Sequence, residues 1–238
     1  KGGHTRVIIL RPALAWYPKR RQEGDVTIRV LVADDQAMIR GALAGLLDLE
    51  RDIEVVAQAA DGTQALDELA RLASADAPAH ASAPVDVAII DIEMPRMDGI
   101  TATQAIRSRF PGVRVLIVTT FGRPGYLQRA LDAGATGFMV KDAPVETLAD
   151  GVRTVAAGGR AIDQSLALEA LSAGSSPLTE READVLREVE GGGTIADIAR
   201  SLGLSQGTVR NHVSSSMLKM DARTRAEAAS LARAAGWL

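Results

Sequence analysis

Between residues 28 and 157 the chain alternates short β-branched runs with stretches of helical period, and that alternation leaves few folds open. The runs are residues 28–33, 53–58, 85–90, 113–118 and 136–140. Each is bounded by Asp, Gly or Pro, as strands buried on both faces tend to be. Amphipathic stretches separate them, such as Ile39, Leu43, Leu46 and Leu47, then Leu66, Leu69 and Leu72. Five repeats of strand then helix imply an α/β unit built on a doubly wound, five-stranded parallel sheet. Ligands of such sheets sit beyond the carboxyl ends of the strands.

Three of those ends carry the side chains that matter. Asp34 and Asp35 follow the first run, Asp91 the third and Lys141 the fifth, while Thr119 stands just past the fourth. Three carboxylates brought together repel by about 4 kcal/mol per pair at 4 Å and an effective dielectric near 20. A cation must offset that, or one carboxyl must keep its proton. Oxygen ligands favour Mg²⁺. A carboxylate beside Mg²⁺ can attack a phosphoryl donor to give an acyl phosphate, which Lys141 can pair with and the Thr119 hydroxyl can donate to. Taken singly, each Asp could as well end a strand or cap a helix.

The rest of the chain is organised differently. Residues 158–176, with Gly158-Gly159, a short Ala/Leu helix near 165–171 and Ser175-Ser176-Pro177 at the end, have linker composition. Beyond them the pattern is wholly helical. Thr179 with Glu182 forms a capping box for a helix to about Val189. Helices follow near 195–202, 206–220 and 223–234, with Gly203 free to take positive φ and Ser205 as a cap. Val209, Val213 and Met217 look inward at helical spacing, leaving Arg210, Asn211 and Ser214 on the open face. Two helices at a tight turn, the second bearing Arg and Asn, can enter a major groove. A plain helical bundle gives the same periodicity. The segment 177–238 carries eight basic and eight acidic residues, yet 196–225 has five against two. A dipolar unit of this kind can present a positive face.

Composition closes other routes. The chain of 238 residues has no cysteine, so disulfides and thiolate chemistry are absent. No apolar run approaches a membrane span, and no P-loop, G-x-S-x-G or G-x-G-x-x-G occurs, so the chain reads as a cytoplasmic protein that is not an enzyme. His4, His80 and His212 are too scattered for a metal site or a triad. Trp237 reads as a packing residue closing the last helix.

VLVADDQ, DIEMPRMDG, VTTFG and GFMVKDA resemble the receiver domain of two-component response regulators, a flavodoxin-like fold, across 28–157. The resemblance implies that Asp91 accepts phosphate from a sensor histidine kinase. It also implies that Asp35 and Asp91 bind Mg²⁺ directly, with the Glu93 carbonyl as a further ligand and Asp34 acting through water. Thr119 and Phe138 would be the switch pair; Phe138 stands where many relatives have Tyr, so its movement must be a packing event. L-T-x-R-E-x-x-V-L and I-A-x-x-L-x-L-S-x-G-T-V-R-N-H-V resemble the LuxR-type helix-turn-helix of the NarL/FixJ regulators, and T-V-R-N-H-V-S-S is similar to the DesR-like branch. That implies Arg210, Asn211 and Ser214 facing bases of promoter DNA, with Thr208, Lys219 and Arg225 near phosphates. A single such unit reads too few base pairs for operator-level specificity, so homodimerisation on phosphorylation is expected, with RNA polymerase as a further partner.

The expected organisation is a receiver over 26–157, a linker over 158–176 and a small all-α helix-turn-helix unit over 177–238. Two rival readings are a regulator of the same design controlled without phosphate, and an adaptor whose helices bind protein. Residues 1–25 match nothing in the family, and their Pro, Arg and Gly content predicts poor order. Gln22-Glu23-Gly24 can be encoded by a ribosome-binding purine run and Val26 by a GTG start, so the native chain is expected to begin at Val26. The alternative is a basic arm for DNA or membrane phosphates.

Overall fold

The computed structural model describes residues 27–75, 84–120, 122–142, 144–173 and 176–238. The expectations for 1–25, His4, His80 and most of the loop 74–84 lie outside them. The strands are β1 (Ile28–Ala33), β2 (Ile53–Ala59), β3 (Val87–Ile90), β4 (Arg114–Thr119) and β5 (Gly137–Val140), each within two residues of its apolar run. Helices α1 (Ala37–Leu47), α2 (Gly62–Ala75), α3 (Gly99–Arg109), α4 (Pro124–Asp132) and α5 (Val145–Ala156) alternate with them.

All pairings are parallel, and the order is β2-β1-β3-β4-β5-β6. The five expected strands are all present, and a sixth extends the sheet's edge beside β5. It is the two-residue β6 (Ala161–Ile162), which pairs with Gly137 and Phe138 and lies in the stretch read as linker. Its shortness hid it, because two residues carry no period.

Side-chain alternation along each strand divides the core into two layers. Leu31, Ala33, Ala88, Ile90, Val115, Ile117 and Phe138 face one way, toward Leu66, Leu69, Ile106 and Leu127 of α2, α3 and α4. Val30, Val32, Val87, Ile89, Leu116, Val118 and Met139 face the other, toward Leu47 of α1 and Leu148, Val152 and Val155 of α5. A strand buried on both faces cannot alternate apolar with polar, which is why these runs are apolar throughout. Burying one such side chain fully contributes roughly 1.5–3 kcal/mol.

Beyond β6 come α6 (Gln164–Ala173), α7 (Glu180–Glu190), α8 (Ile195–Ser201), α9 (Gln206–Lys219) and α10 (Arg225–Ala234). The last four enclose a separate core of Leu186, Val185, Ile198, Val209, Val213 and Ala228. The capping box at Thr179 and Glu182 is present, and Thr194 with Asp197 forms a second. Gly203 takes φ +65° and Ser205 caps α9.

The helical unit docks on α4. Gly125 donates its N–H to the Ala235 carbonyl at 3.0 Å. A Cβ at Gly125 would lie 2.5 Å from Trp237 Cδ1 and 2.6 Å from Ala235 O, so this approach requires glycine. Arg123 donates to the Arg233 carbonyl at 3.1 Å, and Arg129 donates to the main-chain oxygen of Leu238. Trp237 therefore packs on the helical core, as expected, and also touches the sheet-bearing unit. A Gly125→Val substitution should lift the C-terminal segment from α4. With Trp16 replaced by Phe, emission from Trp237 should shift to the red; an unchanged spectrum would contradict the docking.

Candidate functional site

The strand order reverses between β1 and β3, and a crevice opens at the carboxyl ends of strands flanking such a point. Asp34 extends β1, its N–H donating to Ala59 O at 3.1 Å, and Asp91 extends β3, its N–H donating to Ala33 O at 2.9 Å. Both are buried, while Asp35 is exposed at the mouth. Each of the three offers a carboxylate oxygen within 4.8 Å of the others.

Lys141 follows β5, and its N–H donates to Thr119 O at 2.8 Å. Its Nζ lies 2.7 Å from Asp34 Oδ2 and 2.9 Å from Asp91 Oδ2, so one ammonium bridges two buried carboxylates. Burial opposes the charge on Lys141, but the adjacent Asp34 and Asp91 carboxylates outweigh that and raise its pKa. Burial is also the main influence on Asp91 and pushes its carboxyl up; Lys141 offsets this only in part, and Asp34 adds to it. Three clustered carboxylates face a single ammonium, which leaves a surplus of negative charge. Asp34 Oδ2 is buried and accepts no hydrogen bond of good geometry among the described residues, despite the nearby Lys141. The all-oxygen donor set and the surplus of negative charge fit a small, hard divalent cation.

The segment between Asp91 and α3 is tightly built. Asp98 caps α3, accepting from Ile100 N and Thr101 N at 2.9 Å each. Gly99 is pressed so close that a Cβ there would overlap the Asp91 carbonyl oxygen. That is the physical content of the D-G that ends the motif. The Glu93 side chain turns away from the acidic cluster and accepts from Tyr126 Oη at 2.9 Å. Thr119 and Phe138 are both fully buried, Phe138 in the layer under α2, α3 and α4.

On the helical unit, Arg210, Asn211 and Ser214 are exposed on one face of α9, with Val209 and Val213 buried behind them. Arg210 reaches back to Gln206 at 3.3 Å, and Thr208 shares a 2.8 Å hydrogen bond with Ser205. Arg225 is half-buried at the start of α10. Lys219 has a partner that sequence reading missed. Its Nζ donates to Glu182 Oε2 at 2.6 Å, and Glu182 is 5% exposed in its side chain. Ser215 donates to the other oxygen at 2.6 Å, and Thr179 N donates at 2.7 Å. The only signal available was the capping box, which placed Glu182 at a helix start but not against α9.

Two family models match the chain. Residues 30–153 match the response regulator receiver domain, and residues 176–232 match the bacterial regulatory proteins of the luxR family. The chain is 41% identical over 211 residues to the transcriptional regulatory protein YvfU of Bacillus subtilis, covering 89% of this chain and 100% of that one. It is 39% identical over 210 residues to the transcriptional regulatory protein DesR of the same organism, covering 88% and 98%. A solved structure of two RcsB dimers bound to two parallel DNAs shares the fold, with a TM-score of 0.58 at 23% identity over 87% of this chain and 98% of that one. The chain belongs to the response regulators that join a receiver domain to a LuxR-type helix-turn-helix. It is a DNA-binding two-component response regulator, of a family of transcriptional regulators. Among the described residues no helix is long and apolar enough to cross a membrane.

The buried Glu182 has a consequence for acid stability. Burial works against its charge, but bonds from Lys219, Ser215 and Thr179 outweigh it and hold the carboxyl down at about 2, from an ordinary 4.5. A depressed folded-state pKa gives stability that is whole above pH 4.5 and lost as pH falls through about 2. The shift is worth on the order of 3 kcal/mol. Glu182→Gln should flatten this acid limb in thermal melts of the chain and lower stability at pH 7; an unchanged acid limb would contradict the assignment.

Proposed function

We propose that Asp91 is the phosphoacceptor of a phosphorylation-dependent transcriptional regulator, and that its phosphoryl group comes from a sensor histidine kinase. The observation that carries this is Lys141 Nζ bridging Asp34 and Asp91 at the switch point of the sheet. In the transfer, an Asp91 carboxylate oxygen forms the new O–P bond while the donor's P–N bond breaks and its electron pair leaves with the donor nitrogen. Lys141 exchanges Asp91 for the phosphoryl oxygens, and Asp34 keeps it oriented. The Thr119 hydroxyl donates to a phosphoryl oxygen, and Phe138 repacks in the layer below.

Asp34, Asp35 and Asp91, with the Glu93 carbonyl, would hold Mg²⁺. Bound there, Mg²⁺ supplies neutralisation of the carboxylates and of the charge developing on the phosphoryl oxygens. The expected units, a receiver over 26–157 and a helix-turn-helix over 177–238, place this pocket wholly in the first.

Base reading is assigned to Arg210, Asn211 and Ser214, whose exposure together on α9 suits insertion into a major groove. Thr208 and Arg225 suit phosphate contact. Lys219 is the weakest of the phosphate candidates, since Glu182 already neutralises it. One such unit reads too few base pairs for operator-level specificity, so two copies on half-sites are expected, as dimers are in the RcsB complex with DNA. RNA polymerase is a further partner of a promoter-bound regulator.

Incubation with acetyl phosphate and Mg²⁺ should add one phosphoryl group to the intact chain by mass spectrometry. Asp91→Asn should take up none, and Asp35→Ala should lose the Mg²⁺-dependent part. Full incorporation in Asp91→Asn would remove the assignment.

The base-reading face has its own test. Arg210→Ala should weaken discrimination between specific and random DNA by about 1–3 kcal/mol at one base position. An unchanged ratio of the two affinities would favour a helical module that reads no bases.

A further inference from the structure

We infer that the ion pair between Arg96 and Asp61 is a positioning element for the Mg²⁺ and phosphoryl site, pinning the loop that runs from Asp91 to α3. This rests on the reading of Asp34, Asp35 and Asp91 as that site. Residues 92–98 join the end of β3 to the cap of α3 and carry Glu93, whose carbonyl is the expected further ligand. The two ends of the loop are fixed by the Gly99 N–H, which donates to Ile92 O at 2.9 Å, and by the Asp98 cap. Its middle is held from outside, by the start of α2. Gly62 N–H donates to Met97 O at 3.1 Å, and the Arg96 guanidinium pairs with the Asp61 carboxylate.

Neither partner in that pair is placed cheaply. Asp61 is 0% exposed. Its Oδ1 caps α2, accepting from Gln64 N at 3.0 Å, while Oδ2 accepts no hydrogen bond of good geometry among the described residues. A buried carboxylate oxygen in that state is costly unless a cation meets it. Arg96 is the cation that meets it, and it does so with φ at +63°, in the left-handed region that costs a residue other than glycine, Asn or Asp. A glycine at 96 would relieve the backbone but leave Asp61 uncompensated. The arginine keeps the backbone cost and supplies the charge, so the electrostatic pairing acts beside the Gly62–Met97 hydrogen bond in holding the loop against the α2 terminus. Gly62 allows the approach, since a Cβ there would lie 2.8 Å from Met97 Cγ and 2.9 Å from Met97 O.

Groups that orient a metal's ligands without touching the metal typically change affinity on the order of tenfold or more when lost. Calorimetric titration of the full chain with Mg²⁺ tests the inference directly. Arg96→Gly should raise the Mg²⁺ dissociation constant on the order of tenfold, and Arg96→Lys should restore most of the affinity. Asp61→Asn, which keeps an acceptor for Gln64, should match Arg96→Gly, and the double variant should be no worse than either single one. The rate of labelling by acetyl phosphate in Arg96→Gly should recover at high Mg²⁺. A fall in melting temperature with Mg²⁺ affinity unchanged would show a merely structural pair and overturn the inference. So would a loss of affinity that lysine does not rescue. If the wild-type chain binds no Mg²⁺, the acidic cluster is misread and the inference falls with it. If it binds Mg²⁺ but takes no phosphoryl group on Asp91, the proposed function fails while the calorimetric comparison still judges the pair.

Discussion

A lysine ammonium placed 2.7 and 2.9 Å from two buried carboxylates is costly to assemble, and the sheet is arranged so that it can exist. Asp34, Asp91 and Lys141 come from the ends of three different strands, and only a parallel order that reverses between β1 and β3 brings the first two side by side. The double-sided apolar core supplies the rigidity that holds three desolvated charges in register. Even so, the balance stays negative, and burial pushes the Asp91 carboxyl up. Three carboxylates against one ammonium leave the pocket with room for further positive charge.

Much of this was legible in the residues. The five strands follow from short apolar runs bounded by Asp, Gly and Pro, and strand ends are where Asp34, Asp35, Asp91, Thr119 and Lys141 stand. Local rules also sufficed for the helical unit, where Thr179 with Glu182 and Ser205 cap helices as their spacing implies. Pairings across long stretches of chain could not be read in this way. Glu182 meets Lys219 and Ser215 only once α7 and α9 have packed, and Asp61 meets Arg96 only through the turn at 96. Periodicity places a charged residue on a face but does not say which other face it will touch. Ser216 shows the same limit: it is fully buried, with its hydroxyl donating to His212 O at 2.8 Å, two residues after the exposed Ser214.

The two units are joined by polar contacts that begin close to the acidic pocket. Glu93, two residues after Asp91, accepts from Tyr126 and lies 3.5 Å from Arg123, and Arg123 in turn donates to the Arg233 carbonyl of the helical unit. Arg123 also closes the segment that leaves Thr119 for α4. A cavity of about 580 Å³ lies beside these contacts, lined by Glu93, Asp98, Arg123, Arg129, Arg187 and Arg233. With the units docked in this way, Arg210, Asn211 and Ser214 remain open to solvent. The docking therefore leaves this face of α9 uncovered.

The central claim is that chemistry at Asp91 controls DNA binding by α9, two events in separate units of one chain. The direct measurement is affinity for the chain's own upstream DNA at one fixed salt concentration, with and without acetyl phosphate and Mg²⁺, in the wild type and in Asp91→Asn. The phosphodonor should tighten binding by the wild type and leave the variant unchanged. Equal tightening in both, or none in a wild type shown to carry the phosphoryl group, would contradict it.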